Sequence, residues 1–249
     1  MKNVLDLFSG IGGFSIGLEK AGFTTTAFCE IDPYAQKVLK KHWPEVPIYD
    51  DVRQITADRL ASDGINVDVI TGGFPCQDIS LAGNQEGLDG ERSGLWSECA
   101  RLLGEIRPRY AIFENVTNLL AGQRGNWFKR VLWDISALGY DAEWHCIPAS
   151  TVGAHHRRDR VWIVAYPSSE GLEGSEEARD NGEDGKKPRK QLITGLGGVS
   201  RRTWAAEPSM GRVANGIPKR SHRLRCLGNA VVPKIPESIG HSICQIKKP

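Results

Sequence analysis

The sequence predicts an α/β fold with a mostly parallel sheet, on three observations. Short, β-branched or apolar runs recur at Lys2–Phe8, Thr24–Cys29, Val67–Thr71, Ala111–Phe113, Tyr140–Ile147 and Val161–Tyr166. The early ones read as near-continuous apolar stretches, as strands buried on both faces do. Helical patterns alternate with them at Phe14–Ala21, Tyr34–Lys41, Ser93–Arg107 and Trp127–Leu138, the rhythm of strand–helix–strand units. Two strands end in glycines, Gly10-Ile11-Gly12-Gly13 after the first and Gly72-Gly73 after the fourth. Open α/β sheets bind ligands at that carboxyl edge.

The elements follow from local signals. Gly22 closes the first helix and Gly139 the one from Trp127, each as a left-handed stop. Asp32-Pro33 starts the helix Tyr34–Lys41, with a carboxylate at the cap and proline in the first turn. Val46–Tyr49 is a short extended stretch, and Ile235–Ile246 a terminal amphipathic helix. Cys29 and Cys244 stand in apolar runs and read as packing residues.

Composition narrows the class. At 249 residues, 40% hydrophobic and 25% charged, the chain can bury one core with a small second lobe and resembles a soluble globular protein. No run approaches the ~20 apolar residues of a membrane span, and the first residues enter a strand without a signal-peptide pattern. Six cysteines without a C-x-x-C pair argue against zinc and disulfides and fit a reducing cytoplasm. His155-His156 lacks further ligands in pattern, so no metal is expected.

The chemistry-bearing stretch is Gly72-Gly73-Phe74-Pro75-Cys76-Gln77-Asp78-Ile79-Ser80, which puts a thiol on a loop at the sheet edge. By itself Cys76 is either a nucleophile or an inert thiol. The first glycine turn lets backbone N–H groups approach a ligand, and it lacks G-x-G-x-x-G spacing. Glu30 closes the second strand, where an acid suits ribose hydroxyls or a helix start. Asp32 fills the latter role and leaves Glu30 for a ligand. Asp51-Val52 could hold an adenine edge and face, or form a solvated turn. The order of glycine turn, ribose acid, adenine acid and cysteine describes a nucleoside-cofactor half with a nucleophile beside it.

These residues resemble the cytosine-5 DNA methyltransferase family. Asp6-Leu7-Phe8-Ser9-Gly10-Ile11-Gly12-Gly13 resembles its first motif and Gly72–Gln77 its catalytic motif. Phe113-Glu114-Asn115-Val116, Arg158-Asp159-Arg160 and Gly228-Asn229-Ala230-Val231-Val232-Pro233 resemble the E-N-V, R-x-R and last motifs, in the family's order. The resemblance covers roughly residues 1–165 and 224–246. It implies a Rossmann-like S-adenosylmethionine-dependent methyltransferase fold with a small irregular recognition insert. The implied division is a catalytic and cofactor-binding domain at 1–166, a recognition insert at 167–223 and a returning C-terminal segment at 224–249.

The resemblance also implies roles. Phe8, Gly10, Gly12, Glu30, Ile31, Asp51, Val52, Pro75, Leu95, Asn229 and Val231 would hold S-adenosylmethionine. Cys76 would be the nucleophile, Glu114 would engage the ring edge, and Arg160 the base carbonyl. Arg158 and Ser80 would touch the neighbouring phosphates or help orient the base. A long segment with Gly83, Gly87 and Gly90 reads as a lid over a base flipped from the duplex or as a plain flexible loop. Two departures stand out: His156 falls where the family usually has glutamine, and its arginine–glutamate motif before the last one is missing.

From Pro167 an acidic stretch is followed by a basic one that includes Arg201, Arg202 and Arg220, suited to neutralising phosphates. The partners implied are double-stranded DNA and a cognate restriction endonuclease, with the chain acting as a monomer. Three alternatives stay open: a cytosine-5 tRNA methyltransferase, a catalytically inactive DNA-binding relative and, against the glycine spacing, a nicotinamide oxidoreductase.

Overall fold

The computed structural model describes residues 2–75, 94–168 and 220–245. Among them, seven strands form one sheet in the order β3-β2-β1-β4-β5-β7-β6. The strands are β1 (Asn3–Leu7), β2 (Thr24–Cys29), β3 (Ile48–Tyr49), β4 (Val69–Gly72), β5 (Tyr110–Val116), β6 (Tyr140–Ile147) and β7 (Arg160–Pro167). The first five pair parallel. β7 lies antiparallel between β5 and β6, so only one strand breaks the common direction. The α/β expectation therefore holds, with the strand order reversing between β1 and β4.

Both faces are covered, which explains the near-continuous apolar strands. One face carries Leu5, Leu7, Ile70, Ala111, Phe113 and Ile163, packed under α4 (Leu95–Ile106) and α6 (Asn126–Ala137). The other carries Val4, Val69, Ile112, Trp162 and Val164 against α1 (Gly13–Lys20) and α8 (Lys234–Gln245). Residues alternate between these clusters along each strand, as the two-residue period requires. α2 (Pro33–His42) begins as the sequence indicates: Asp32 Oδ1 accepts hydrogen bonds from the Tyr34 and Ala35 N–H groups at 2.7 and 3.2 Å.

Three short or late helices escaped the sequence patterns: α3 (Ala57–Ser62), α5 (Asn118–Ala121) and α7 (Arg220–Asn229). Two of them are a turn or so long, too short for a 3.6-residue stripe to develop. α7 is polar and lacks such a stripe. The packing role expected for Cys29 is met, since it is buried, whereas Cys244 is exposed. α8 buries Ile235, Ile239 and Ile243, and Cys244 falls one position off that face.

The C-terminal segment returns to the start of the chain. A side chain on Gly13 would meet the Val231 carbonyl at 2.7 Å, and one on Gly17 the Pro233 carbonyl at 2.1 Å. These two glycines let α1 and the last motif touch backbone to backbone. Among the described residues no helix is long and apolar enough to cross a membrane.

Candidate active site

The carboxyl ends of β1, β2, β4 and β5 and the start of β7 share one edge of the sheet, because Leu7 pairs with Cys29 and Gly72, Gly72 with Phe113, and Val116 with Arg160. That edge gathers Phe8, Gly10, Gly12, Glu30, Ile31, Asp51, Val52, Pro75, Glu114, Arg158 and Arg160. Cys76, Ser80, Arg201 and Arg202 lie outside the described residues, as do the lid glycines; Arg220 is described only as part of α7.

On the β1–β3 side, the chain leaves β1 through Phe8, a non-glycine residue at φ 52°. Such a backbone costs roughly 1–2 kcal/mol and was not legible in sequence. Ser9 anchors the turn by donating to the Asp6 carbonyl and accepting from the Cys29 N–H at 3.2 Å. Beneath it, the fully buried Asp6 carboxylate accepts from Ser15 Oγ at 2.9 Å and Thr71 Oγ1 at 2.8 Å. Burial pushes Asp6 up to about 7, against the pull of those two hydroxyls. Asp6 thus ties β1, α1 and β4 together below the turn.

The two turn glycines differ. Gly10, at φ 55°, has open space where a side chain would begin, whereas Gly12 is closed by the Trp43 ring at 2.7 Å. Gly10 has open space beside it; Gly12 accommodates a tryptophan. Glu30 is already engaged by two backbone donors. Its Oε2 accepts from the Gly10 N–H and its Oε1 from the Asp32 N–H, both at 2.7 Å, because turn and cap expose donors that no strand can satisfy. Asp51 caps a short 3-10 turn and pairs with Arg53 at 2.9 Å, which holds its carboxyl below the usual range. Ile31 is 70% exposed beside them, an apolar side chain presented at the rim. Val52 is buried, and Leu95 is partly buried at the start of α4.

On the β4–β5–β7 side, Glu114 sits near the end of β5 at 9% exposure. Its Oε1 is 3.0 Å from Arg160 Nε; Arg160 opposes Val116 across the ladder and so lies diagonal to Glu114 on the same face. Burial raises Glu114 above the usual carboxylate range, while Arg160 and Arg158 oppose the rise. A side chain on Gly73 would lie 3.3 Å from Glu114 Oε2, so this glycine lets the carboxylate reach the strand that leads to Cys76. Asn115, buried on the opposite face, donates to the Phe74 carbonyl at 3.1 Å, which fixes the root of the same loop. Phe74, Trp96 and Phe113 form a three-ring cluster, with Trp96 5.1 Å from Phe74 and 5.3 Å from Phe113 between centroids.

Arg158, at φ 37°, donates to the Gly228 carbonyl. Burial, and then Arg160, push its guanidinium below its usual value. It therefore links the R-x-R segment to the last motif, a contact across 70 residues that no local pattern signals. Val231 packs on α1, and Asn229, the last residue of α7, is exposed. Among the described residues no group of three or more His, Cys, Asp or Glu side chains forms a metal site.

Comparison with known proteins fits this geometry. The chain is 41% identical over 166 residues to the type II methyltransferase M2.BsuMI of Bacillus subtilis, which covers 65% of this chain and 41% of that protein. It spans about two fifths of the length of the curated relatives it matches. Among solved structures it resembles a candidate DNA modification methyltransferase encoded within an E. coli prophage, with a TM-score of 0.61, 28% identity and coverage of 71% of this chain and 50% of that one. The Entamoeba histolytica methyltransferase EhMeth superposes with a TM-score of 0.67 over 100% of this chain and 99% of that chain; at 14% identity the likeness is one of fold. A model of the C-5 cytosine-specific DNA methylases matches residues 2–203. The chain belongs to that family.

Proposed function

We propose that this chain transfers a methyl group from S-adenosylmethionine to C5 of cytosine in double-stranded DNA. The observation that carries the reading is Glu114, buried, paired with Arg160 and set against Gly73 at the root of the Pro75–Cys76 loop.

The chemistry asks for this arrangement. Cytosine C5 is a poor nucleophile until a thiolate adds at C6, so Cys76 would form a covalent bond and split one hard step into two. Addition drives negative charge towards N3 and O2 of the ring. A protonated Glu114, the form its burial favours, can donate to N3, and the Arg160 fork to O2. The positive charges of Arg158 and Arg160 would support the thiolate form of Cys76, which a protonated Glu114 would not oppose. Loss of the C5 proton to a base then allows the thiol to leave.

The residues fit S-adenosylmethionine: Gly10 is open to solvent, Ile31 presents an apolar surface at the rim, and Glu30 and Asp51 line the same edge. When bound, that group supplies the methyl. Phe8, Gly10, Gly12, Glu30, Ile31, Asp51, Val52, Pro75, Leu95, Asn229 and Val231 would shape its pocket. Glu30 accepts one N–H at each oxygen, which leaves a lone pair on each for ribose hydroxyls. A stacked base is out of reach of a loop thiol, so the target must be flipped. Ser80, Arg158, Arg201, Arg202 and Arg220 would hold the backbone around it, the last three from the 167–223 insert. The likeness to a type II methyltransferase supports a modification role beside a restriction endonuclease, and the scattered cysteines suit a reducing cytoplasm.

A duplex carrying 5-fluorocytosine in many sequence contexts tests the reading, because fluorine at C5 cannot leave as a proton does. Incubation with S-adenosylmethionine should give a covalent protein–DNA complex on denaturing gels that Cys76→Ala abolishes, together with at least about a thousandfold loss of methylation. Trapping on RNA alone would overturn the DNA substrate. Trapping on neither would leave a cofactor-binding relative without this activity.

A further inference from the structure

α7 spans the carboxyl edge. In its first half His222 stacks on Tyr34 with ring centroids 5.6 Å apart, and just past its middle Arg225 forms an ion pair with Asp32. At its end, the Gly228 carbonyl accepts from Arg158, just before β7. Asp32 and Tyr34 belong to the start of α2, behind β2, and β2 and β7 are four strand steps apart in the sheet. Four steps are about 19 Å; from Arg225 to Gly228 the helix rises only about 4.5 Å, so the extended side chains of Arg225 and Arg158 cover most of that span. The helix and its two arginine contacts thus bridge from the β2 side to the β7 side of the ends of β1, β4 and β5. Cys226, midway along it, is close enough to Asp32 and Glu30 for their charges to add to burial in raising its thiol. Beyond α7 the chain is fixed, because Val231 and Pro233 touch Gly13 and Gly17.

We propose that α7 is a strap over the nucleoside pocket, held shut by Arg225 on Asp32 and by Arg158 on Gly228, so that cofactor and product exchange through its release. Arg225 and Arg158 act here as positioning residues. The anchored last motif is the hinge side, and the exposed ion pair and ring stack form the side that opens. Arg158 would also couple the two substrates, because a DNA phosphate that draws its guanidinium away from Gly228 loosens the strap. The gating role rests on the reading of the pocket as the S-adenosyl site.

Two measurements on the full chain separate the strap from that reading. Hydrogen exchange without any ligand should be faster at the α7 amides, residues 220–229, in Arg225→Ala than in the wild type, with Arg225→Lys largely restoring protection. Stopped-flow tryptophan fluorescence should show S-adenosylhomocysteine leaving Arg225→Ala about two- to fivefold faster at low ionic strength, the scale of an exposed ion pair. That difference should shrink in high salt. Unchanged exchange across α7 would overturn the clasp. Faster exchange with unchanged dissociation would overturn the gate. A wild type that binds no S-adenosylhomocysteine would overturn the gate together with the cofactor reading, while the exchange measurement would still decide the clasp.

Discussion

The two halves of the site treat their carboxylates in opposite ways. On the β1–β3 side, Asp32 and Asp51 stay partly open to water, and neighbouring N–H groups and arginines hold both below the usual carboxylate range, burial notwithstanding at Asp32. On the β4–β5–β7 side, burial lifts Glu114 although two arginines stand beside it. Charged, hydrated carboxylates suit the recognition of hydroxyls and amines; a carboxyl that keeps its proton suits donation to a ring nitrogen. Both halves draw partners from near and far along the chain. Asp51 pairs with Arg53 two residues away, while Glu30 meets Gly10 across 20 residues and Asp32 meets Arg225 across 193. On the other side Asn115 meets Phe74 across 41 residues, and Arg158 meets Gly228 across 70. What separates the halves is therefore burial and not distance along the chain.

The comparison breaks first at Glu114. Glu114→Gln should lower kcat by about a hundredfold or more, the usual scale for removing a group that stabilises developing charge, with S-adenosylhomocysteine affinity little changed. The wild-type rate should fall as pH rises through the raised Glu114 titration, and the variant should lose that limb of its pH profile. A fall in affinity as large as the fall in kcat would mean the two halves are not separate.

Asp6 sharpens the contrast below the surface. Its folded value of about 7 lies above the ordinary 3.8, so between those values the folded protein holds a proton that the unfolded chain has released. Stability should therefore decline as pH rises across that window and level off above it, by a few kcal/mol at most. Thermal denaturation of Asp6→Asn against pH should lack this decline. An identical slope in both proteins would place the titration elsewhere.

The smallest effects separate the turn glycines. Gly12→Ala drives a methyl into the Trp43 ring at 2.7 Å from a left-handed backbone, and should cost about 1–3 kcal/mol in chemical denaturation. Gly10→Ala meets open space and should cost about 1 kcal/mol in backbone strain, yet weaken S-adenosylhomocysteine binding about tenfold by calorimetry. Equal stability losses with equal affinities would show that neither glycine distinguishes ligand from packing.

Much of this was determined by sequence alone. Apolar runs and glycine stops marked the strands and long helices, because burial and left-handed turns constrain residue type locally. Motif order marked the family and the residues at the sheet edge. Other features belong to the tertiary structure. Whether a turn glycine faces a ligand or a tryptophan depends on Trp43, about thirty residues on. The occupied state of Glu30 depends on donors left over by a turn and a cap. The path of α7 has no apolar stripe to announce it, only an ion pair and a ring stack with α2 and a carbonyl held by Arg158. The sequence determined which groups are present and which segments are buried. Only the fold decided which groups meet, because a side chain's protonation and partners are set by whatever distant strand or helix packs against it.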